Sequence, residues 1–147
     1  ASLGLFYDNA WDQDGLKITE VMDKSPVLKG DSKIKAGVVI EKINGNALSK
    51  DVNHCQYLNR IDGKATLLSL YNPKTKERWE ETVKPISRGA EFQLRYERWV
   101  KNCRDLVEEL SGGSIGYVHV RGMDDQSFRI VYDETLGQNN DKKALIV

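Results

Sequence analysis

The chain has 147 residues, of which 39% are hydrophobic, 30% charged and 8% aromatic, a composition that suits one ordinary domain or a small domain with part of another and excludes a disordered chain. Twenty-two basic side chains balance 22 acidic ones, and the balance is local too, with 13 against 12 in residues 1 to 87 and 9 against 10 in residues 88 to 147. Nucleic-acid binding driven by charge is thereby excluded, because counterion release needs a dense positive face that neither half supplies.

The first 87 residues read as short strands separated by turns. Leu3 to Tyr7 and Leu16 to Val21 are rich in strand formers, and the polar stretch between them ends in the turn pair Asp14-Gly15. Ser25-Pro26 starts a turn or short helix. Val38 to Ile43 reads as a strand closed by Asn44-Gly45, a strong signal for a tight turn with positive φ. Asp51 to Arg60 has helical spacing, with Val52, Cys55, Leu58 and Ile61 near one face. Ala65 to Tyr71 and Arg78 to Val83 then alternate as strands, joined by Asn72-Pro73-Lys74-Thr75-Lys76. Together these predict a small, partly open β-barrel with a helix against it.

The character changes after Pro85. Arg95 to Leu110 predicts an amphipathic helix of four turns, stopped by Ser111-Gly112-Gly113. Ile115 to Val120 (strand), Gln126 to Leu136 (weak helix) and Ala144 to Val147 (strand) follow in the β-α-β rhythm of a parallel sheet. Two parallel strands cover neither their edges nor their faces, so residues 88 to 147 read as the opening of a larger α/β domain. The fold class expected is mixed α/β.

No apolar run approaches the roughly 18 residues of a membrane span; the longest are Val38-Val39-Ile40 and Ala144-Leu145-Ile146-Val147. The sequence begins at Ala1 rather than Met and no basic segment leads into an apolar stretch, so any signal or upstream domain is expected to lie outside this sequence. Cys55 and Cys103 are too few and too widely spaced for a disulfide framework or a metal site, and no metal or other cofactor is expected. Cys103 falls on the apolar face of its helix with Trp99, Val100, Leu106, Val107 and Leu110, which favours a buried thiol over a bridge to Cys55.

Hydrolytic chemistry finds little support. His54 and His119 are the candidate bases, but His119 lies in a strand where a structural role is the commoner outcome, and His54 lies near the exposed end of its helix. Ser111-Gly112-Gly113-Ser114 lacks the Gly-x-Ser-x-Gly spacing of a nucleophile elbow, and Asp124-Asp125 are neighbours at a helix start, where they complement the dipole. No catalytic residue is assigned. Ser2-Leu3-Gly4-Leu5-Phe6 is more informative, since a glycine among apolar residues just before a strand lets backbone N–H groups converge on an anion. With the helix Asp51 to Arg60 beside that strand, an extended peptide can add as a further strand.

These segments resemble a family in their order and spacing. Leu3-Gly4-Leu5-Phe6, Asp14-Gly15-Leu16-Lys17-Ile18, Ser25-Pro26-Val27, Lys35-Ala36-Gly37-Val38-Val39-Ile40-Glu41-Lys42-Ile43-Asn44-Gly45 and the strand from Ala65 together resemble a PDZ domain of the bacterial protease type over residues 1 to 87. One position departs: Val38 directly follows Gly37, where the family usually has Gly-Asp before the Val-Ile strand. The stretch Glu97-Arg98-Trp99-Val100, Gly116-Tyr117-Val118-His119-Val120 with Met123, and Ala144-Leu145-Ile146-Val147 is similar to the segment that follows the PDZ domain in tricorn-type and carboxy-terminal-processing serine peptidases. The Asp-x-Arg-x-Asn-x-Gly-Gly stretch and the later nucleophilic serine of that family are absent from this sequence.

The resemblance implies a PDZ-like domain over 1 to 87, then the incomplete opening of a peptidase catalytic domain over 88 to 147. It implies a partner in hydrophobic peptide or protein C-termini or extended segments, held by Leu3, Gly4, Leu5, Phe6, Tyr7, Val52, His54, Cys55 and Leu58. An apolar pocket of Leu3, Leu5, Val52, Cys55 and Leu58 would take the terminal side chain, and His54 matches the groove-lining position that selects a ligand hydroxyl in some PDZ domains. The chain would be inactive alone and would serve a parent serine peptidase, in a bacterial periplasm or cell envelope. The alternative is a structural or regulatory domain whose groove is closed. A further expectation is self-association through the strand Ala144 to Val147.

Overall fold

The computed structural model describes all 147 residues, and they divide into two compact units, Ala1–Arg95 and Tyr96–Val147. The first is built on a six-stranded antiparallel sheet of β1 (Leu5–Tyr7), β2 (Leu16–Val21), β3 (Val39–Ile43), β4 (Asn46–Ala47), β5 (Thr66–Tyr71) and β6 (Arg78–Val83). The order is β1-β2-β3-β5-β6, with β4 paired to β3. Asn44 and Gly45 connect β3 to β4 at φ 49° and 78°, the two left-handed residues that a two-residue hairpin turn needs.

Alternation decides which face of each strand is buried. Along β5, Thr66, Leu68 and Leu70 are fully buried, while Leu67 is 38% exposed on the other side. Leu68 and Leu70 join Ile18, Ile40 and Ile43 in one core, each such side chain contributing about 1.5–3 kcal/mol through burial. On β6, one carboxylate ties a loop to the sheet. Glu81 accepts hydrogen bonds from Ser32 Oγ (2.6 Å), the Lys33 N–H (2.9 Å) and Trp79 Nε1 (2.7 Å). The outer strands differ in character: β6 carries Arg78, Glu80 and Glu81, whereas β1 is Leu5-Phe6-Tyr7 with no charge.

The helix expected over Asp51 to Arg60 is corrected to a single 3-10 turn, His54–Leu58. The Asn53 side chain accepts the Cys55 N–H, a local turn that competes with helix, and Asn59 is extended while Arg60 sits at φ 56°. The helix expected to begin at Arg95 begins seven residues earlier, as α1 (Arg88–Ser111). Ser87 caps it by accepting the Ala90 N–H at 3.1 Å, and Glu91 pairs with Arg95 at 2.7 Å one turn on.

The second unit begins within α1. That helix ends in a double-glycine cap, with Gly112 N–H on Glu109 C=O and Gly113 N–H on Glu108 C=O, at φ 60° and 78°. β7 (Ile115–Tyr117) and β8 (Ala144–Ile146) pair in parallel, with α2 (Asp125–Asp133) and a π-helical turn, Glu134–Gln138, between them. β7 is shorter than the expected Ile115 to Val120; its ladder with β8 closes on the Val118 N–H, which donates to Ile146 C=O at 2.9 Å. Both cysteines are free thiols; Cys103, expected to be buried, is half-buried, and Cys55 is exposed. His119 sits among Tyr96, Trp99 and Tyr117 and is 3.2 Å from the Tyr117 hydroxyl through Nδ1.

Candidate functional site

The approach to β1 turns on Gly4, which sits at φ +66°. Its C=O accepts the Met22 N–H (3.1 Å), and the preceding Leu3 C=O accepts the Ser25 hydroxyl (2.8 Å). Gly4 N–H donates to Ser2 Oγ at 3.1 Å, while Ser2 and Ile86 exchange both backbone hydrogen bonds at 2.8 Å. The Gly4–Met22 bond sets the phase of the β1–β2 ladder. Leu5 faces Val21 as the next, non-bonded pair, so its N–H and C=O turn away from β2 toward the open side of the sheet. β1 is therefore an edge strand with an unspent donor and acceptor at Leu5.

Side chains from the 3-10 turn and from the start of α1 flank this edge. The Tyr7 ring meets the His54 ring edge-on at 5.4 Å, and His54 Nε2 lies 3.8 Å from Cys55 Sγ. On the other face of the strand, the Arg95 guanidinium stacks 4.8 Å over Phe6 while it holds Glu91, a carboxylate only 8% exposed. Burial, then the charges of Glu91 and Cys55, push the Tyr7 phenol well above its ordinary range. Burial also lowers the His54 imidazole, so its neutral form is favoured.

Of the nine residues read from the sequence, Leu3, Leu5 and Leu58 are core residues at 1%, 4% and 5% exposure. Phe6, Tyr7, Val52 and His54 are half-buried, and Cys55 is exposed. The structure brings Tyr7 and His54 together. It places three of the five side chains expected to line an apolar pocket inside the protein's own core instead. Sequence reasoning missed Ile86, Glu91 and Arg95, which close in on β1 from the far end of the unit. A signal for them exists in Ser87, a capping residue ahead of a Glu91–Arg95 pair at helical spacing.

No protein-family model matches this chain. Tricorn protease homolog 1 of Streptomyces coelicolor is 31% identical over 126 residues, covering 84% of this chain and 12% of that protein. The chain is tricorn-related. A second protein of the same organism, putative tricorn protease homolog 2, is 26% identical over 114 residues, covering 78% of the chain and 10% of its own length. The crystal structure of the tricorn protease superposes with a TM-score of 0.73 over 92% of the chain and 13% of that structure, at 22% identity, which speaks for the fold alone. The tricorn-related stretch thus spans about a tenth to an eighth of the length of the proteins it matches, and it is a mixed α/β, peptidase-associated segment. No helix in it is long and apolar enough to cross a membrane.

Proposed function

We propose that the first unit is a PDZ-like module that binds extended peptide segments by strand addition along β1, in the service of a tricorn-type serine peptidase whose reacting groups lie in other segments. The observation that carries this is the Leu5 N–H and C=O on an uncharged edge strand. Main-chain pairing supplies affinity, and Tyr7 with His54 lines the side of the edge where ligand side chains fall. So short a contact corresponds to micromolar binding, about 8 kcal/mol. Titration with unlabelled peptides, followed by backbone amide NMR shifts, tests the reading. The expected result is shifts gathered on Leu3 to Asp8 and on the 3-10 turn; shifts scattered over the second unit, or none, would refute it.

A second reading has its own observation. Ser2 already pairs with Ile86, and Arg95 already covers Phe6, so the same edge can serve as a closed structural seam within a larger peptidase. Hydrogen exchange separates the two: a closed seam protects the Leu5 amide in the free chain, whereas an open edge leaves it to exchange until peptide is added.

A further inference from the structure

We propose that Cys55 is a site of S-thiolation: its thiol exchanges with a low-molecular-weight disulfide, with His54 as the base that takes the thiol proton. Three groups from two elements meet there. Cys55 is exposed, so a small disulfide can reach its sulfur. His54 Nε2 lies 3.8 Å from Cys55 Sγ, and the Tyr7 ring against the imidazole fixes where that nitrogen stands. The Tyr7 hydroxyl has no hydrogen-bond partner, and the Cys55 charge is among the causes that raise its pKa, so phenol and thiol are near neighbours.

Each group is in the state the exchange needs. Thiolate, not thiol, attacks a disulfide, so a base beside Sγ speeds the reaction by drawing off the proton. Burial favours the neutral His54 imidazole, and with its own proton on Nδ1 the ring presents the Nε2 lone pair to the Sγ–H. Burial likewise keeps the Tyr7 phenol protonated, ready to donate its O–H to the thiolate as it forms. The carboxylate on the far side of Tyr7, Glu91, is already held by Arg95 at 2.7 Å and by Arg88 at 3.9 Å. In the exchange the Sγ–H proton passes to His54, the thiolate attacks one sulfur of R–S–S–R, and that S–S bond breaks. Cys55–S–S–R forms, and the departing thiolate takes the proton back from His54 as R–SH. Cys55 is oxidised, the disulfide is reduced, and no other reactant is consumed. Cys103 lacks this setting, being half-buried in α1 with the Tyr117 hydroxyl as its hydrogen-bond partner. The two thiols of one chain therefore serve as site and reference.

Reaction of the whole chain with the neutral disulfide dithiodipyridine at neutral pH tests this, followed by thiopyridone absorbance and by mass spectrometry of the labelled peptides. The expected result is that Cys55 is labelled about tenfold or more faster than Cys103. Labelling of Cys103 as fast as Cys55, or faster, overturns the assignment of the site. Exposure alone also favours Cys55, so the base has a test of its own. His54→Phe keeps a ring against Tyr7 and should slow the labelling of Cys55 about fivefold or more while leaving Cys103 unchanged. An unchanged Cys55 rate in that variant overturns the role of His54. Unfolding the unmodified chain in urea checks the cluster without any variant. Both thiols should then react at rates that agree within about threefold, with Cys55 slower than in the folded chain. A Cys55 that reacts as fast or faster once unfolded overturns the proposal.

Discussion

Replacing Gly4 with alanine sets two costs against each other at one position. The first is conformational: at φ +66° an L-residue pays about 1–2 kcal/mol that glycine does not. The second is steric, because the added Cβ would stand 2.8 Å from Ser25 Oγ and 3.1 Å from both Ser25 Cβ and Pro26 Cδ. Ser25 can yield only by giving up its 2.8 Å hydrogen bond to Leu3 C=O, worth about 1 kcal/mol net. The sum is about 2–3 kcal/mol. Gly37 supplies the control, since it has φ +91° with nothing within 4 Å of its added Cβ, so Gly37→Ala carries the conformational cost alone. Urea unfolding in a Trp99→Phe background, with Trp11 and Trp79 reporting the first unit, should lower the midpoint for Gly4→Ala by about 1 M, roughly twice the shift for Gly37→Ala. Equal shifts for the two variants would refute the argument from close approach, and no shift in either would refute the argument from backbone geometry.

Three further outcomes are expected from titratable groups. Burial lowers the His54 pKa, so as pH falls below about 6.5 the unfolded chain takes up the proton first and stability declines; His54→Phe, which keeps a ring against Tyr7, should flatten that part of a stability–pH curve. Tyr7 is shifted the other way, so above pH 10 the unfolded chain ionises first, and Tyr7→Phe should raise the alkaline midpoint followed by circular dichroism. Asp124 caps α2 through its 2.7 Å bond from the Ser127 N–H, which lowers its pKa. Its contribution is therefore present above the unfolded value of 3.8 and lost as pH falls, and hydrogen exchange of the α2 amides should quicken in Asp124→Ala but much less in Asp124→Asn at neutral pH.

Elements whose pattern is local were legible from sequence. Leu16–Val21 and Arg78–Val83 form strands with the bounds that alternation predicts, and the Asn44-Gly45 turn follows from the two residues it demands. The segment Asp51 to Arg60 misled because apolar spacing cannot report that Asn53 will fold its side chain onto the Cys55 N–H and leave only five residues of 3-10 turn. The first turns of α1 were hidden for the converse reason. Arg88-Gly89-Ala90-Glu91 has no apolar stripe, and the helix there is held by its Ser87 cap and by the Glu91–Arg95 pair. At the candidate site, Leu3, Leu5 and Leu58 looked like pocket walls, but an apolar residue carries the same signature whether it meets a ligand or its own core. The hydrogen-bond phase of β1 is a property of the Gly4–Met22 pairing, which no single-strand pattern contains.

The contrast between the two outer strands bears on crowding. If copies of the first unit stacked edge to edge into a fibre, the Leu5-Phe6-Tyr7 strand of each would have to lie along the Arg78–Val83 strand of the next, and repeat indefinitely. Arg78 is held by Glu41 and Glu81 by three donors, so it is chiefly the exposed Glu80 carboxylate, bonded by the Ser69 hydroxyl alone, that would be drawn out of water against an uncharged neighbour, which makes each added copy less favourable. On the proposed strand-addition reading the sheet would be lengthened once, by a visiting chain at β1 that brings no second templating surface of this sheet with it. If β1 takes an extended segment as proposed, a sheet with one receptive edge and one charged edge would hold that segment without seeding its own precipitation.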